Sequence, residues 1–478
     1  MTSASASFPM LALGWLLTGC TSPPVETHEV NANATTLPPT PQPSAGPPAA
    51  AKPETLPPDA KATPAKAHAY DGQNFIVHEW GTLTSVVSSD GRLLAGLHHE
   101  DEDLPGFVAD RMAQAQVTPA IVLQKMETPV TYFYSPTPRS VQVKVEFPHG
   151  LFTQWFPYVE DTGPPLYLER PEDKTSVVDP WISSASALPP ACEERTTAAT
   201  TRAFLNWGQV DVLAPGSVSN LPGPLGDTTW GFARQTQANP VQVQVAGKTY
   251  AEKFLFYRGT GTFVLPVQVA VKQDGVVATN TDVSAAMRSA FLLNVTPTGA
   301  GFVALGDIKA AGSLTAPLPA ASLPHQDFAD QLGQALAAAL VADGLYADEA
   351  QAMVATWRRS YFFTPGPRLL YLLPASHTDA VIPLHIVPRP DQLHRTMVIR
   401  VELVSPALEQ RLDAALRRLA DPASHGAAQS ELLAYGRFTQ PYLTDAVARA
   451  TEPKVRAAGL ALLEAVRAQR RWRPIALE

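Results

Sequence analysis

The sequence predicts an α+β fold: a mainly antiparallel β domain, a mixed α/β segment and a C-terminal helical cap. Three observations predict it. Val141, Val143, Val145 and Phe147 alternate with Gln142, Lys144 and Glu146, the period of a half-buried strand. The same period recurs at Val241, Val243 and Val245. Beyond residue 325 the spacing changes, and Phe328, Leu332, Leu336 and Leu340, then Leu408, Leu412, Leu416 and Leu419, repeat at helical intervals.

The chain has 478 residues, 45% of them hydrophobic and 17% charged, enough for two or three domains with real cores. Its net charge of -8 argues against nucleic acid as a partner, which calls for a basic surface. Near the N-terminus the run Phe8 to Thr18 is apolar and is closed by Gly19 and Cys20. That is the length of a secretory h-region and too short to span a bilayer, so residues 1–19 read as a signal peptide. Leu17-Thr18-Gly19-Cys20 resembles the lipobox of bacterial lipoproteins. The resemblance implies that Cys20 is lipidated, becomes the mature N-terminus and anchors the protein to a membrane of the cell envelope without crossing it. Thr21 stands where some bacteria read Asp as a signal to stay on the inner membrane, which leans the resemblance toward the outer membrane.

Of the 2 cysteines, Cys192 is then the one thiol left, and the neighbouring Glu193 and Glu194 oppose its ionisation. Residues 20–70 read as a stalk. Positions 21–70 hold 12 Pro and 11 Ala with no aromatic residue before Tyr70, too little apolar surface to offset chain entropy.

Residues 71–315 form the expected β-rich domain. Phe75 to Val87 is rich in β-branched and aromatic residues, and Ser89-Asp90-Gly91 signals a turn into Leu93 to Leu97, which together predict a hairpin. Phe254 to Tyr257 and Phe263 to Leu265 read as strands flanking Arg258 to Thr262. Phe263 to Val271 and Val276-Val277 form a second hairpin across Gln273-Asp274-Gly275. Residues 325–405 are the α/β segment: a helix from Phe328 to Val341 stopped by Gly344, a helix from Ala347 to Arg359, then strands at Leu369 to Leu373, Val381 to Val387 and Met397 to Val404. Pro374, Pro383, Pro388 and Pro390 confine some of these strands to edges. Residues 406–478 are the helical cap. Leu432 to Val466 resembles a HEAT-type helical repeat over about one repeat, and a lone repeat cannot bury its own face, so packing on the preceding domain is expected.

The familiar catalytic motifs are absent from the sequence. No G-x-S-x-G occurs, Gly247-Lys248-Thr249 has Gln242 where a P-loop needs glycine, and His78-Glu79 has Thr82 where H-E-x-x-H needs its second histidine. The remaining concentration of ligand-type residues is His78 and Glu79 on the first strand of the predicted hairpin with His98, His99 and Glu100 after its second strand. Folded together, these imidazoles and carboxylates would hold a divalent metal ion, Zn, Mn or Fe for the mixed set and Ca for the acids alone. The alternative is a solvated acidic loop beside a buried, hydrogen-bonded His78. Tyr132 to Tyr134, Trp155 to Tyr158 and Trp357 to Phe363 are aromatic clusters that could line a ligand groove, and at their spacings a core or domain-interface role is expected. His377, Asp379, His385 and His394 offer acids and bases without a marked nucleophile, and Arg467, Arg470, Arg471 and Arg473 make a basic tail expected at a solvated helix end.

His78 to Thr82, Lys125 to Val130 and Arg368 to Pro374 together resemble an uncharacterised family of secreted bacterial proteins over most of residues 74–405, which implies no activity. The expectation is a lipid-anchored envelope protein whose ectodomain binds a ligand or partner or acts as a scaffold. The alternative is a metal-dependent hydrolase or redox enzyme built on the His and acid cluster. A third reading has the C-terminal helices dock another envelope protein.

Overall fold

In a computed structural model of the chain, the described residues are 69–468, apart from 101–103, 112–121, 164–166, 170–175, 179–202, 218–220, 224 and 273–274. The expected signal peptide, Cys20, nearly all of the expected stalk, Cys192, the acids at 101–103 and the arginines at 470, 471 and 473 lie outside them. In chain order the first strands are β1 (Ile76–Val87), β2 (Ala109–Asp110), β3 (Gln124–Tyr134), β4 (Arg139–Phe147), β5 (Gly150–Phe156), β6 (Asp161–Gly163), β7 (Tyr167–Glu169) and β8 (Ser176–Val178). Then follow β9 (Ala203–Val212), helix α1 (Thr229–Ala233), β10 (Val241–Val245), β11 (Lys248–Glu252), β12 (Leu255–Gly261), β13 (Val267–Lys272) and β14 (Gly275–Asn280). The chain continues through β15 (Met287–Thr296), β16 (Gly299–Ile308), β17 (Ser313–Ala316), α2 (His325–Asp343), α3 (Ala347–Phe362), β18 (Gly366–Leu373), α4 (Ala375–Val381), β19 (Leu384–Val387) and β20 (Gln392–Leu403). It ends in α5 (Pro406–Leu419), α6 (His425–Leu433), α7 (Thr439–Arg449) and α8 (Pro453–Ala468).

A nine-stranded sheet in the order β16-β15-β18-β20-β1-β3-β12-β5-β2 organises the molecule. β1 sits at its centre, and every residue from Ile76 to Val87 is buried. Successive side chains of a strand point to opposite faces. On one face Val77, Leu83 and Val87 join a core shared with a second sheet, β11-β10-β9-β4-β19 with β6 beside β9. On the other, Ile76 and Trp80 lie in a core with α2 and α3, while Val86 lies in one with the C-terminal helices.

This placement corrects the first predicted hairpin. The turn is real, since Gly91 donates to the Ser88 carbonyl at 2.9 Å and holds φ at 92°, but Leu93 to Leu97 is not its second strand. Both edges of β1 are occupied, by β20 in parallel and by β3 antiparallel, so after the Val87 to Leu93 bridge the segment leaves the sheet. Leu94 and Leu97 pack instead with the C-terminal helices. Arg258 to Gly261, expected between two strands, belong to β12 itself.

The boundary expected between 315 and 325 does not divide the sheet. β18 and β20 fill its middle, and the parallel pairing of β20 with β1 requires a long crossover, here most of the chain. β19, between Pro383 and Pro388, is an edge strand as expected. The β13 and β14 hairpin pairs Lys272 with Gly275, Gly344 closes α2 with φ at 130°, and Leu408, Leu412, Leu416 and Leu419 bury one stripe of α5.

Candidate functional site

The face of the large sheet that carries α2 and α3 changes character partway along its strands. Around Trp80, Val130, Leu370 and Val398 it is apolar and shares a core with those helices. Around Val86 and Val404 it shares one with α5 to α8. Between these two covers a polar band crosses five neighbouring strands: Arg368 on β18, Arg400 and Glu402 on β20, Thr82 and Thr84 on β1, Lys125 and Glu127 on β3, and Arg258 on β12. Register aligns it, with Arg368 opposite Glu402, Arg400 opposite Thr84, Thr82 opposite Glu127 and Lys125 opposite Thr260. All of these side chains are buried.

Glu127 is the hub. Its Oε1 accepts from Arg437 Nη1, and its Oε2 accepts from the Thr84 hydroxyl at 2.8 Å and from the Tyr361 hydroxyl. Burial opposes ionisation of this carboxyl, but the Arg437 and Arg400 guanidiniums overcome that and hold it well below the usual carboxylate range. Glu100, on the coil that follows Leu97, bridges Lys125 Nζ at 2.6 Å and Arg258 Nη1 at 2.8 Å. Burial opposes its charge as well, and Arg258 and Lys125 again bring its pKa down. Glu402 takes Arg400 Nε at 2.5 Å and lies 3.0 Å from Arg368 Nε. The Arg400 guanidinium sits 4.1 Å from the centroid of the Tyr361 ring, a cation–π contact, and its Nη1 and Nη2 have no hydrogen-bond partner.

The backbone is distorted where this band meets α3. Trp80 pairs with Val130 and Thr82 with Glu127, so Gly81 alone faces Thr128 and Pro129, a β-bulge. A Cβ on Gly81 would stand 2.9 Å from Pro129 Cα, which explains the glycine. Thr128 holds φ at 49°, a left-handed conformation that costs a β-branched residue about 1–3 kcal/mol. β12 shifts register at the same level, between Phe256 and Gly259. Beside these bulges lies a cavity of about 30 Å³ lined by Glu100, Glu127, Thr128, Arg258, Thr356, Trp357, Ser360, Tyr361 and Arg437. A site needs about 10–15 Å³ of such space for one water, so this one has room for about two or three waters or a small group of that size.

No family model matches the chain, and no curated protein does. Among solved structures, the Fcho1 Mu homology domain of Danio rerio with bound Eps15 peptide aligns at 6% identity and a TM-score of 0.25, covering 69% of this chain and 97% of that one. A likeness so slight carries no argument about fold or function.

The five residues proposed as metal ligands separate into different surroundings. His78 and Glu79 are adjacent in a strand and therefore face opposite ways. His78 Nδ1 lies 2.7 Å from Glu349 Oε2, and Glu349 also accepts from the Tyr134 hydroxyl and the Tyr346 amide, so this buried pair ties β1 to the first turn of α3. Glu79, on the other face, accepts from Arg395 Nε at 2.7 Å and from the Tyr257 hydroxyl. His98, His99 and Glu100 stay together but pack on Lys125, which donates to the His98 carbonyl at 3.1 Å. Burial first, then Lys125, lowers the His98 imidazole to about 3 and the His99 imidazole to about 4. Among the described residues, no three His, Cys, Asp or Glu side chains converge to hold a metal ion. His377 pairs with Asp282, Asp379 with Arg395, and His394 with Asp343, each as a separate contact. The aromatic clusters are core residues, apart from the half-buried Tyr158 and Phe363.

Sequence reasoning does not single out Arg258, Thr128 and Arg437 as site residues, whereas Trp357, Ser360 and Tyr361 belong to an aromatic cluster it names as a possible groove lining. The available signal was the charged, apolar, charged triplet, Lys125-Met126-Glu127 and Arg400-Val401-Glu402, whose middle residues enter the inter-sheet core. A strand with one solvated face has the same pattern.

Proposed function

We propose that the chain is a lipid-anchored protein of the cell envelope whose folded region is a ligand-binding module, with the cavity beside Glu127 as its site. Attachment through Cys20 is supported by Leu17-Thr18-Gly19-Cys20 and by the Pro- and Ala-rich stretch that follows; Thr21 favours the outer membrane. The observation that carries the binding reading is the cavity itself, set among buried charges and against a strained bulge at the seam between two helical covers. Its carboxylates are already held by cations, Glu127 by Arg437 and Glu100 by both Lys125 and Arg258, which suits fixed recognition better than proton transfer. Hydrolysis through a metal would need His78, Glu79, His98, His99 and Glu100 at one point, and they occupy separate surroundings.

The anchor is tested by expressing the full chain and its Cys20→Ala variant in bacteria supplied with labelled palmitate. The wild-type protein is expected to carry label and sediment with membranes, and the variant to do neither. Equal labelling of the two would refute attachment at Cys20.

A further inference from the structure

The band around the cavity is not electrically balanced among the described residues. Among the described residues, Lys125, Arg258, Arg368, Arg400 and Arg437 face Glu100, Glu127 and Glu402, five cations against three carboxylates. His98 and His99, lowered to about 3 and about 4, add no charge at neutral pH. Asp110, which accepts from Gln154 at the rim, is followed by Arg111, and the two leave the excess of positive charge unchanged. Buried charge without a counter-charge is costly, by several kcal/mol per ion.

Hydrogen-bond capacity is lopsided in the same sense. Both oxygens of Glu127 and both of Glu100 already accept bonds. The lining N–H groups without a partner are donors: Trp357 Nε1, on a side chain 1% exposed, and Arg258 Nε, on one 5% exposed. Thr128, Thr356 and Ser360 complete the lining; the Thr356 hydroxyl donates to the Ala352 carbonyl at 2.8 Å, and the Thr128 Oγ1 has no partner. A ligand that completes this set must accept hydrogen bonds and carry negative charge.

We infer that the cavity binds a small oxyanion group, either a free tetrahedral oxyanion or the carboxylate of a small organic acid, with Arg258 and Trp357 as donors to it. The inference rests on reading the cavity as a ligand site and names the chemistry of that ligand. The group would sit between the α3 wall and the Arg258 guanidinium, beside Thr128, whose Oγ1 has no partner. A charge-assisted hydrogen bond from the indole contributes on the order of 1.5 kcal/mol, so its loss weakens binding about tenfold.

The test is thermal unfolding of the full chain at constant ionic strength, with sodium chloride replaced by increasing inorganic phosphate, sulfate or acetate, and by ethylammonium chloride as the cationic counterpart. A saturable rise in Tm at millimolar anion is expected; general salt exclusion needs far higher concentrations and does not saturate. Preference for phosphate and sulfate would identify a free oxyanion, and preference for acetate a carboxylate. Trp357→Phe is expected to unfold at a lower Tm than the wild type without anion, because it shrinks a buried core side chain, and to need about tenfold more anion for half of its own Tm rise. Arg258→Gln is expected to abolish the response. A Trp357→Phe protein that binds as the wild type does overturns the inference. A response to ethylammonium alone overturns the ligand class but leaves the cavity as a ligand site, and no response to any ion overturns both. Labelling at Cys20 is read independently of either result.

Discussion

Glu79 and Glu127 are buried carboxylates on the neighbouring strands β1 and β3, and both are held by arginine, yet their surroundings differ in what is left over. Arg395 is shared between Glu79 and Asp379, whose side chain is 59% exposed, so one buried cation meets one buried and one solvated acid. Among the described residues around Glu127 the cations outnumber the acids, the N–H groups of Trp357 Nε1 and Arg258 Nε lack partners, and the backbone is bulged. The first cluster closes on itself and fastens the inter-sheet core. The second is complete only with an acceptor from outside, and this contrast separates an ion pair that holds the fold from one positioned to receive a ligand.

The largest expected effect comes from breaking each cluster in the same way. Glu79→Gln and Glu127→Gln each remove the buried carboxylate from an ion pair with a buried guanidinium and should each cost about 3–5 kcal/mol in urea unfolding. Millimolar phosphate should restore part of the loss in Glu127→Gln, because an anion in the cavity supplies charge that the variant removed. It should restore nothing in Glu79→Gln. Equal rescue of both would erase the distinction.

Acid should weaken the second cluster before the first. His99 is held neutral, with its pKa at about 4, because it is buried and next to Lys125, while hydrogen bonding to Gln440 and the charge of Glu100 pull the other way. The unfolded chain takes up that proton near pH ~6.5, so stability is full above that value, falls as pH drops toward about 4 and is flat below for this group. His98, lowered to about 3, acts in the same direction over a slightly longer range. At pH ~5 the loss through His99 is on the order of 2 kcal/mol. Glu127, with its pKa below the usual range, adds its own loss as pH falls below ~4.5. A His98→Gln, His99→Gln double variant should therefore lose most of the slope between pH ~6.5 and ~4.5 while keeping the steeper fall below it. An unchanged slope in the upper window would show that other groups carry it.

Much of the fold was legible because single-face patterns survive translation into structure. The alternation at Val141 to Phe147 and the leucine stripe of α5 lie where period alone puts them. β1 was read as a strand correctly and paired wrongly, because Asp90-Gly91 specifies a turn but says nothing about β20, more than 300 residues away, arriving to take the free edge. The same non-local pairing hid the site. Register across β18, β20, β1, β3 and β12 creates the charged band, and no local window contains both Glu127 and Arg437. His78 and Glu79 looked like co-ligands because they are adjacent, which in a strand is the reason they part.

The smallest effect is the one that sharpens the comparison most. Thr128 keeps a left-handed backbone at the cavity wall, where glycine would sit without the steric penalty. If the bulge served the fold alone, Thr128→Gly should relieve the strain and change nothing else. Because Thr128 lines the cavity and its Oγ1 has no partner among the described residues, the substitution should also remove a donor from the ligand's surroundings. The expected outcome is a stability gain of at most about 1 kcal/mol, since glycine's own chain entropy offsets part of the relief, together with a severalfold weaker response to anion. Stability and ligand response moving in opposite directions at one residue is the signature of strain retained for a site. A Thr128→Gly protein that gains stability with its anion response intact would place the bulge with the Glu79 cluster, as architecture.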